Sequence, residues 1–511
     1  MPTSPLPDRP DTDPPVPRWR FIAAGVVLVL LIGAGAVWLL RPESTDCADG
    51  VKRIRTGDAT RCVGLTDGAY PFDKGLRTLF EKVEQENKKV AEWAADPHGD
   101  PYVSVVYLAN MSPATGDSQN AKSVLHELEG AYTAQIEANG DPRKGHRPQI
   151  KLLLGDMGSQ DKHLDYTLDQ IKARLKKDHI VAVAGLGPSG KGTKAMVKKL
   201  SDLNIASFGS ALTADDLENS HGLVRVAPPN ANEAAAAVQF LTSKPYSKAK
   251  VLIVKDVKER DSYTDTLSEK FGDRLPEERK VDGEPMEYDS SKGGLATYFE
   301  NQNNNLCANG PDVVYFAGRG RDLPYFLESL AKRNCSHSSL MVLSGDDTSQ
   351  VFQADGFKNV KDSLEKGKIR LVYTGLAHPG AWTKAEDFFD RNATRPFRDR
   401  GDFTNIFGNE KNENLEDGQA IMGYDAVCAA VKAIKLTAPL DNVQRKRVML
   451  QLKGLNGTNA VHGASGYISV QNNGSPEDKA IPLIEIKKDG STTTLDVVSG
   501  SGKGAPYTLP K

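Results

Sequence analysis

Three glycines, a lysine and a threonine between two apolar runs carry the first chemistry the chain offers. Gly185, Gly187 and Gly190 satisfy G-x-G-x-x-G, and Lys191 and Thr193 follow closely. Glycines at this spacing let a backbone approach a pyrophosphate at a helix N-terminus, where free amides face the anion. A dinucleotide site also needs an acid about 20 residues on, at the end of the next strand, to take the ribose hydroxyls. The chain there reads IASFG from Ile205 to Gly209. A phosphate-binding P-loop needs Ser or Thr directly after its lysine to hold magnesium, but Gly192 stands in that place and Thr193 comes one residue late. The loop from Gly185 to Thr193 keeps the physics of anion binding and lacks the residues of a nucleotide site. Elsewhere no His, Cys or Glu cluster has ligand or triad spacing. His126, His163 and His179 are scattered, so no catalytic group, cofactor or metal is expected.

The loop needs a strand before it and a helix after it, and the pattern supplies both. Ile180 to Ala184 is short, apolar and β-branched, and a helical pattern resumes from Thr193 to Leu200. The same alternation surrounds them. Val103 to Leu108 and Lys151 to Leu154 read as strands. Lys122 to Asn139 is a helix with Leu125, Leu128 and Tyr132 on one face, and Leu164, Leu168, Ile171 and Leu175 mark another. Strands joined by crossover helices build a parallel sheet that binds ligands beyond the carboxyl ends of its strands. Two prolines, Pro228 and Pro229, interrupt the pattern, which restarts with strands at Val251 to Val254, Val313 to Phe316 and Leu340 to Leu343 and a helix from Leu323 to Ala331. A second α/β lobe is therefore expected. No internal repeat is evident.

Composition narrows the compartment. Phe21 to Leu40 is twenty residues without a charge, long enough to cross a bilayer as a retained anchor, with signal-peptide cleavage as the competing reading. Residues 1–20 hold seven prolines and read as a disordered cytoplasmic tail. Five cysteines are present. Cys47 with Cys62, and Cys307 with Cys335, are placed to form two disulfides in an exported domain, and Cys428 sits in the apolar run Ala426 to Ile434 as a core residue. A net charge of -2 without a basic face argues against a nucleic-acid partner. The expected location is the cell membrane, single-pass, with the C-terminal domain outside the cytoplasm.

Five blocks in order resemble one family. They are VAVAGLGPSG, IASFGSALTADDL, DVVYFAGRGRDLPYFLESLAKRN, GYDAVCAAVKAI and HGASGYISVQNNG. From about Val103 to Ile486 the chain resembles the type I periplasmic binding proteins, and within them the branched-chain amino acid (leucine/isoleucine/valine) binding proteins of ABC transporters. The resemblance implies two doubly wound α/β lobes joined by three chain crossings, with solute held in the cleft between them. The crossings fall near Ala227, Gly375 and Gly463. The implied division is tail 1–20, anchor 21–40 and a membrane-proximal spacer 41–100. Lobe 1 then takes 101–227 and 376–462, lobe 2 takes 228–375 and 463–498, and 499–511 is a tail.

The resemblance also implies a site. Ser189 matches a serine that holds a ligand carboxylate; a helix cap is its other possible role. Ala211 and Thr213 match the second ligand-contacting loop, where Thr213 would equally cap a helix. Tyr263 matches an aromatic lid, or is an ordinary half-buried tyrosine. Asp346 matches the acid that pairs with an α-ammonium, although its neighbour Asp347 leaves the register open by one. Two departures stand out. Arg319 replaces a family aromatic; facing the cleft it would prefer a ligand with an extra acid or phosphate, and otherwise it is a solvated surface arginine. An aromatic is also missing after Met111-Ser112-Pro113. The expected function is capture of an amino acid or related carboxylate, for an ABC permease or for a membrane signalling partner. The alternatives are a nucleotide-binding enzyme built on the glycine loop and an envelope interaction module with an empty cleft.

Overall fold

Each half of the pattern builds its own sheet. The computed structural model describes residues 46–510 except 57–58, 115, 141–146, 160–162, 260, 336–338, 354–356 and 409–414. The expected tail and membrane anchor, 1–20 and 21–40, lie outside the described residues. Among the described residues no helix is long and apolar enough to cross a membrane.

The first sheet holds β1 (Asp46–Ala48), β2 (Val51–Thr56), β3 (Ala59–Thr66), β4 (Tyr102–Ala109), β5 (Gln149–Asp156), β6 (Ile180–Gly185), β7 (Ala206–Gly209) and β8 (Leu223–Arg225). Its order is β1-β2-β3-β5-β4-β6-β7-β8, and β4 to β8 run parallel. The second sheet holds β9 (Val251–Asp256), β10 (Met286–Tyr288), β11 (Val313–Ala317), β12 (Leu340–Ser344), β13 (Ile369–Thr374), β16 (Ala480–Ile486) and β17 (Thr492–Ser499), in the order β10-β9-β11-β12-β13-β16-β17. The last two strands join antiparallel. Between β13 and β16 in sequence, β14 (Val461–Gly463) and β15 (Gly466–Ile468) form a small hairpin. Central strands such as β4, β6 and β11 are buried on both faces. Their unbroken apolar runs are what parallel strands covered by helices require.

The described residues of the expected spacer 41–100 are part of the fold. β2 and β3 extend the first sheet, with Gly64 to Thr66 paired antiparallel to Leu154 to Asp156 of β5. The helix Arg77–Ala95 buries Leu79, Phe80, Val83 and Val90. Its Asn87 both donates to Leu152 O (2.8 Å) and accepts from Leu152 N (3.0 Å). The helix's many Lys and Glu residues conceal an apolar stripe at helical spacing, which docks it on lobe 1.

Two helices cross with their backbones almost touching on the same face of that sheet, beside Arg77–Ala95. A Cβ on Gly423, in the helix Gln419–Lys435, would lie 2.0 Å from Glu127 O of the helix Ala121–Asn139, and one on Gly130 would lie 1.8 Å from Ala420 O. Only glycine permits this approach. It ties the returning chain, after its second crossing near Gly375, to the first lobe.

The third crossing lies later than Gly463. Val461, Ala464, Ile468 and Val470 belong to the core of the first lobe, and Gly474 O accepts from Arg225 N of β8 at 3.0 Å. The chain passes over at Lys479, fully buried, whose Nζ donates to Ser465 Oγ (2.7 Å) and Gly466 O (2.9 Å). Burial lowers the Lys479 ammonium to about 8 against the pull of the Asp425 carboxylate. Residues 499–510 of the expected tail are also held, because β17 reaches Ser499 and Tyr507 N donates to Asp478 O at 2.9 Å. Cys307 and Cys335 are bonded to each other, Cys47 and Cys62 are both in disulfide form, and Cys428 is free.

Candidate functional site

The carboxyl ends of β6 and β7 on one lobe and of β9, β11 and β12 on the other bring the six expected ligand residues into one region. Gly185 (φ 87°), Leu186 (φ 77°) and Gly187 (φ 64°) turn the chain sharply after β6 and present Ser189 before the helix Lys191–Asp202. The Ser189 hydroxyl oxygen accepts from Thr213 N (3.0 Å) and Ala214 N (3.1 Å). It therefore pins the second loop rather than capping its own helix. Thr193 Oγ1 donates to Pro188 O at 2.8 Å, so the displaced P-loop hydroxyl closes its own turn. Thr213 is buried and its carbonyl accepts from Asn230 N (2.7 Å) at the first crossing, while Ala211 is half-buried.

In lobe 2 the helix Ser262–Arg274 starts at Asp261, whose Oδ1 accepts from Tyr263 N at 3.2 Å. Tyr263 is buried rather than half-buried, with its hydroxyl accepting from Asp347 N at 3.3 Å. The Arg319 guanidinium lies over its ring, 4.4 Å from the centroid. Arg319 is neither a surface residue nor a free anion receptor. It is 4 % exposed. Its Nε and Nη2 grip both oxygens of Asp261 (2.9 and 2.7 Å), Nη1 reaches Asp347 Oδ1 at 3.4 Å, and Nη2 also donates to Ser189 O across the cleft at 3.2 Å. Burial disfavours the Asp261 charge, but the Arg319 charge and hydrogen bonds outweigh it and hold the carboxyl below its ordinary range. A guanidinium spent on two carboxylates has little left for an acidic ligand, which removes the reason to expect one.

Asp346 sits beside this network, near the Arg319 charge but without a hydrogen bond to it. Its backbone N–H donates to Glu233 Oε2 at 3.0 Å, and Thr374 Oγ1 donates to the same oxygen at 2.8 Å. Burial, then the neighbouring Asp347 charge, pushes the Asp346 carboxyl up to about 7. Burial and Asp346 push Glu233 up as well. Two further bonds draw the lobes together: Gln350 Oε1 accepts from Ser123 Oγ (2.8 Å) and Asn120 Nδ2 (3.1 Å).

Sequence reasoning missed Asp261, Glu233 and Gln350 as members of the site, and had Asp347 only as the other register for Asp346. Asp261 carried a signal, an acid in the N-cap position before SYTDTL. Glu233 carried a fainter one, as the lone acid in the alanine-rich run NEAAAA. Gln350 carried none.

No family model and no curated protein matches the chain. Solved structures do. A leucine-binding protein from Thermotoga maritima is 17% identical over 78% of this chain and 98% of its own, with a TM-score of 0.56. The branched-chain amino acid transporter substrate-binding protein of Streptococcus pneumoniae, in complex with isoleucine, is 12% identical over 78% and 99%, at 0.55. A solute-binding protein of an ABC transporter from Rhodopseudomonas palustris, in complex with 3,4-dihydroxybenzoic acid, is 15% identical over 78% and 97%, at 0.54. With paired parallel sheets and a site at their facing strand ends, the chain has the two-lobed α/β fold of these type I periplasmic binding proteins.

Proposed function

We propose that the protein is a non-catalytic receptor that captures a small polar solute between its lobes. The observation that supports this reading most is the meeting of the Ser189 and Arg319 loops. Each stands at the carboxyl ends of parallel strands, and Arg319 Nη2 reaches Ser189 O at 3.2 Å. Parallel α/β sheets bind ligands at such ends, and two lobes meeting there can part and close around a solute. The structural neighbours named above bind leucine-class amino acids and an aromatic acid in the same architecture. The nucleotide-enzyme alternative has no magnesium ligand in register, and Thr193 is engaged with Pro188 O.

Residues 21–40 hold the receptor at the cell membrane with the lobes outside the cytoplasm, where it delivers solute to an ABC permease or reports it to a membrane signalling partner. Thermal-shift screening of the full chain against amino acids, amines, aromatic acids, sugars and nucleotides tests the receptor reading. Stabilisation by a small solute without magnesium is expected; stabilisation only by ATP with magnesium, or by nothing, would overturn it.

A further inference from the structure

The charges of the cleft do not balance as an amino-acid site. Arg319 is already matched by Asp261 and Asp347. The Glu233 and Asp346 carboxyls remain, 0 % and 8 % exposed; burial raises both and they are hydrogen-bonded to each other, but Glu233 Oε1 and Asp346 Oδ1 meet no donor from the surrounding residues. The buried hydroxyls of Tyr315 and Tyr373 are also without a partner, and both tyrosines feel the Asp346 charge, Tyr315 that of Glu233 as well. Buried acceptors left without donors are costly. Carboxyl oxygens lined with aromatic rings suit an ammonium, which brings three donors and a positive charge. The seat for a ligand carboxylate is in the opposite condition, since the Thr213 and Ala214 amides are both consumed by Ser189 Oγ. An amino acid's carboxylate would also face Asp261 and Asp347.

We propose that the cleft selects a cationic amine without a carboxylate, such as an alkyl diamine or an amino-guanidine, seated on the Glu233 and Asp346 carboxyls. The proposal rests on the solute-receptor reading and gives its ligand class. Glu233 Oε1 and Asp346 Oδ1 supply the acceptors, and Tyr315 and Tyr373 line the seat. Arg319 stays on Asp261, so it takes no part in holding the ligand and instead fixes the wall beside it.

Isothermal titration of the full chain with 1,4-diaminobutane, agmatine, L-leucine and L-glutamate is the test. One of the two carboxylate-free amines is expected to bind, with both amino acids at least about tenfold weaker. Asp346→Asn and Glu233→Gln, which keep shape and remove charge, are each expected to weaken the amine at least about tenfold while the variants still melt cooperatively. Tighter binding of leucine or glutamate overturns the cation assignment and leaves the receptor standing. Amine binding unchanged in both variants overturns the seat. No binding by any of the four also overturns the assignment, and the wider solute screen then decides the receptor reading separately.

Discussion

Arg319 and Asp261 form a two-point ion pair inside lobe 2, Nε to Oδ2 at 2.9 Å and Nη2 to Oδ1 at 2.7 Å. The pair is almost wholly buried, so removing one partner strands the other charge in a poor solvent. Asp261→Asn is expected to lower unfolding free energy by about 3 kcal/mol, and Arg319→Met by a similar amount. The double variant should recover part of the loss, because neither charge is then left alone. Urea denaturation of the four proteins measures the coupling; strictly additive losses would contradict it.

The acid pair makes stability depend on pH. Burial pushes the Asp346 carboxyl up to about 7 in the folded protein, against about 3.9 for a free aspartate, so the native state binds more protons than the unfolded chain between these values. Stability is then expected to fall as pH rises from about 4 through 7 and to level off above. The groups facing Asp346 are Glu233, Asp347, Arg319, Tyr263, Tyr315 and Tyr373. Of these, Glu233 and Asp347 are also raised by burial and push the slope in the same direction. Melting temperatures of the wild type and Asp346→Asn across this range check the sign, since the variant should show a shallower slope.

Ser189→Ala leaves the Thr213 and Ala214 amides without their acceptor. A loss of about 1–3 kcal/mol is expected, together with a displaced second loop. Hydrogen exchange at those two amides reads the effect directly; unchanged protection would show that the hydroxyl does not hold the loop.

Gly423→Ala drives a methyl into Glu127 O, an atom of a neighbouring helix backbone that cannot turn aside. A cost of at least about 2 kcal/mol is expected. Since the contact lies within lobe 1, a solute-free melting curve is the measurement, and a neutral result would mean that the two helices part easily.

The alternation of apolar runs and helical stripes located the inner parallel strands β4, β5 and β6 of one sheet and β9, β11 and β12 of the other, and Leu323–Ala331 appears at the bounds read from the pattern. Periodicity reports burial, and these elements are buried. It failed where burial is partial or where pairing is set at long range. β2 and β3 are polar at their outer positions, and they are strands because β3 pairs antiparallel with β5 and β2 with β3. The third crossing was displaced because HGASGYISVQNNG marks a turn-rich hairpin without saying which lobe it packs on. In the site, residue types pointed to the right loops, but Arg319 was weighed as a single residue. Its partners Asp261 and Asp347 lie 58 and 28 positions away, and no local pattern reports a pairing of that kind.

The late third crossing also bears on how the protein is made. Lobe 2 completes its sheet only when β16 (Ala480–Ile486) and β17 (Thr492–Ser499) add to β13. As the chain leaves the ribosome, β13 remains an open edge for more than a hundred residues of further synthesis, while the returning segment is being drawn back to lobe 1. Exposed strand edges invite pairing with other chains. A nascent or prematurely terminated chain that stops before Ala480 would carry a nearly finished first lobe and an unsealed second one, which makes β16 and β17 the seal against aggregation.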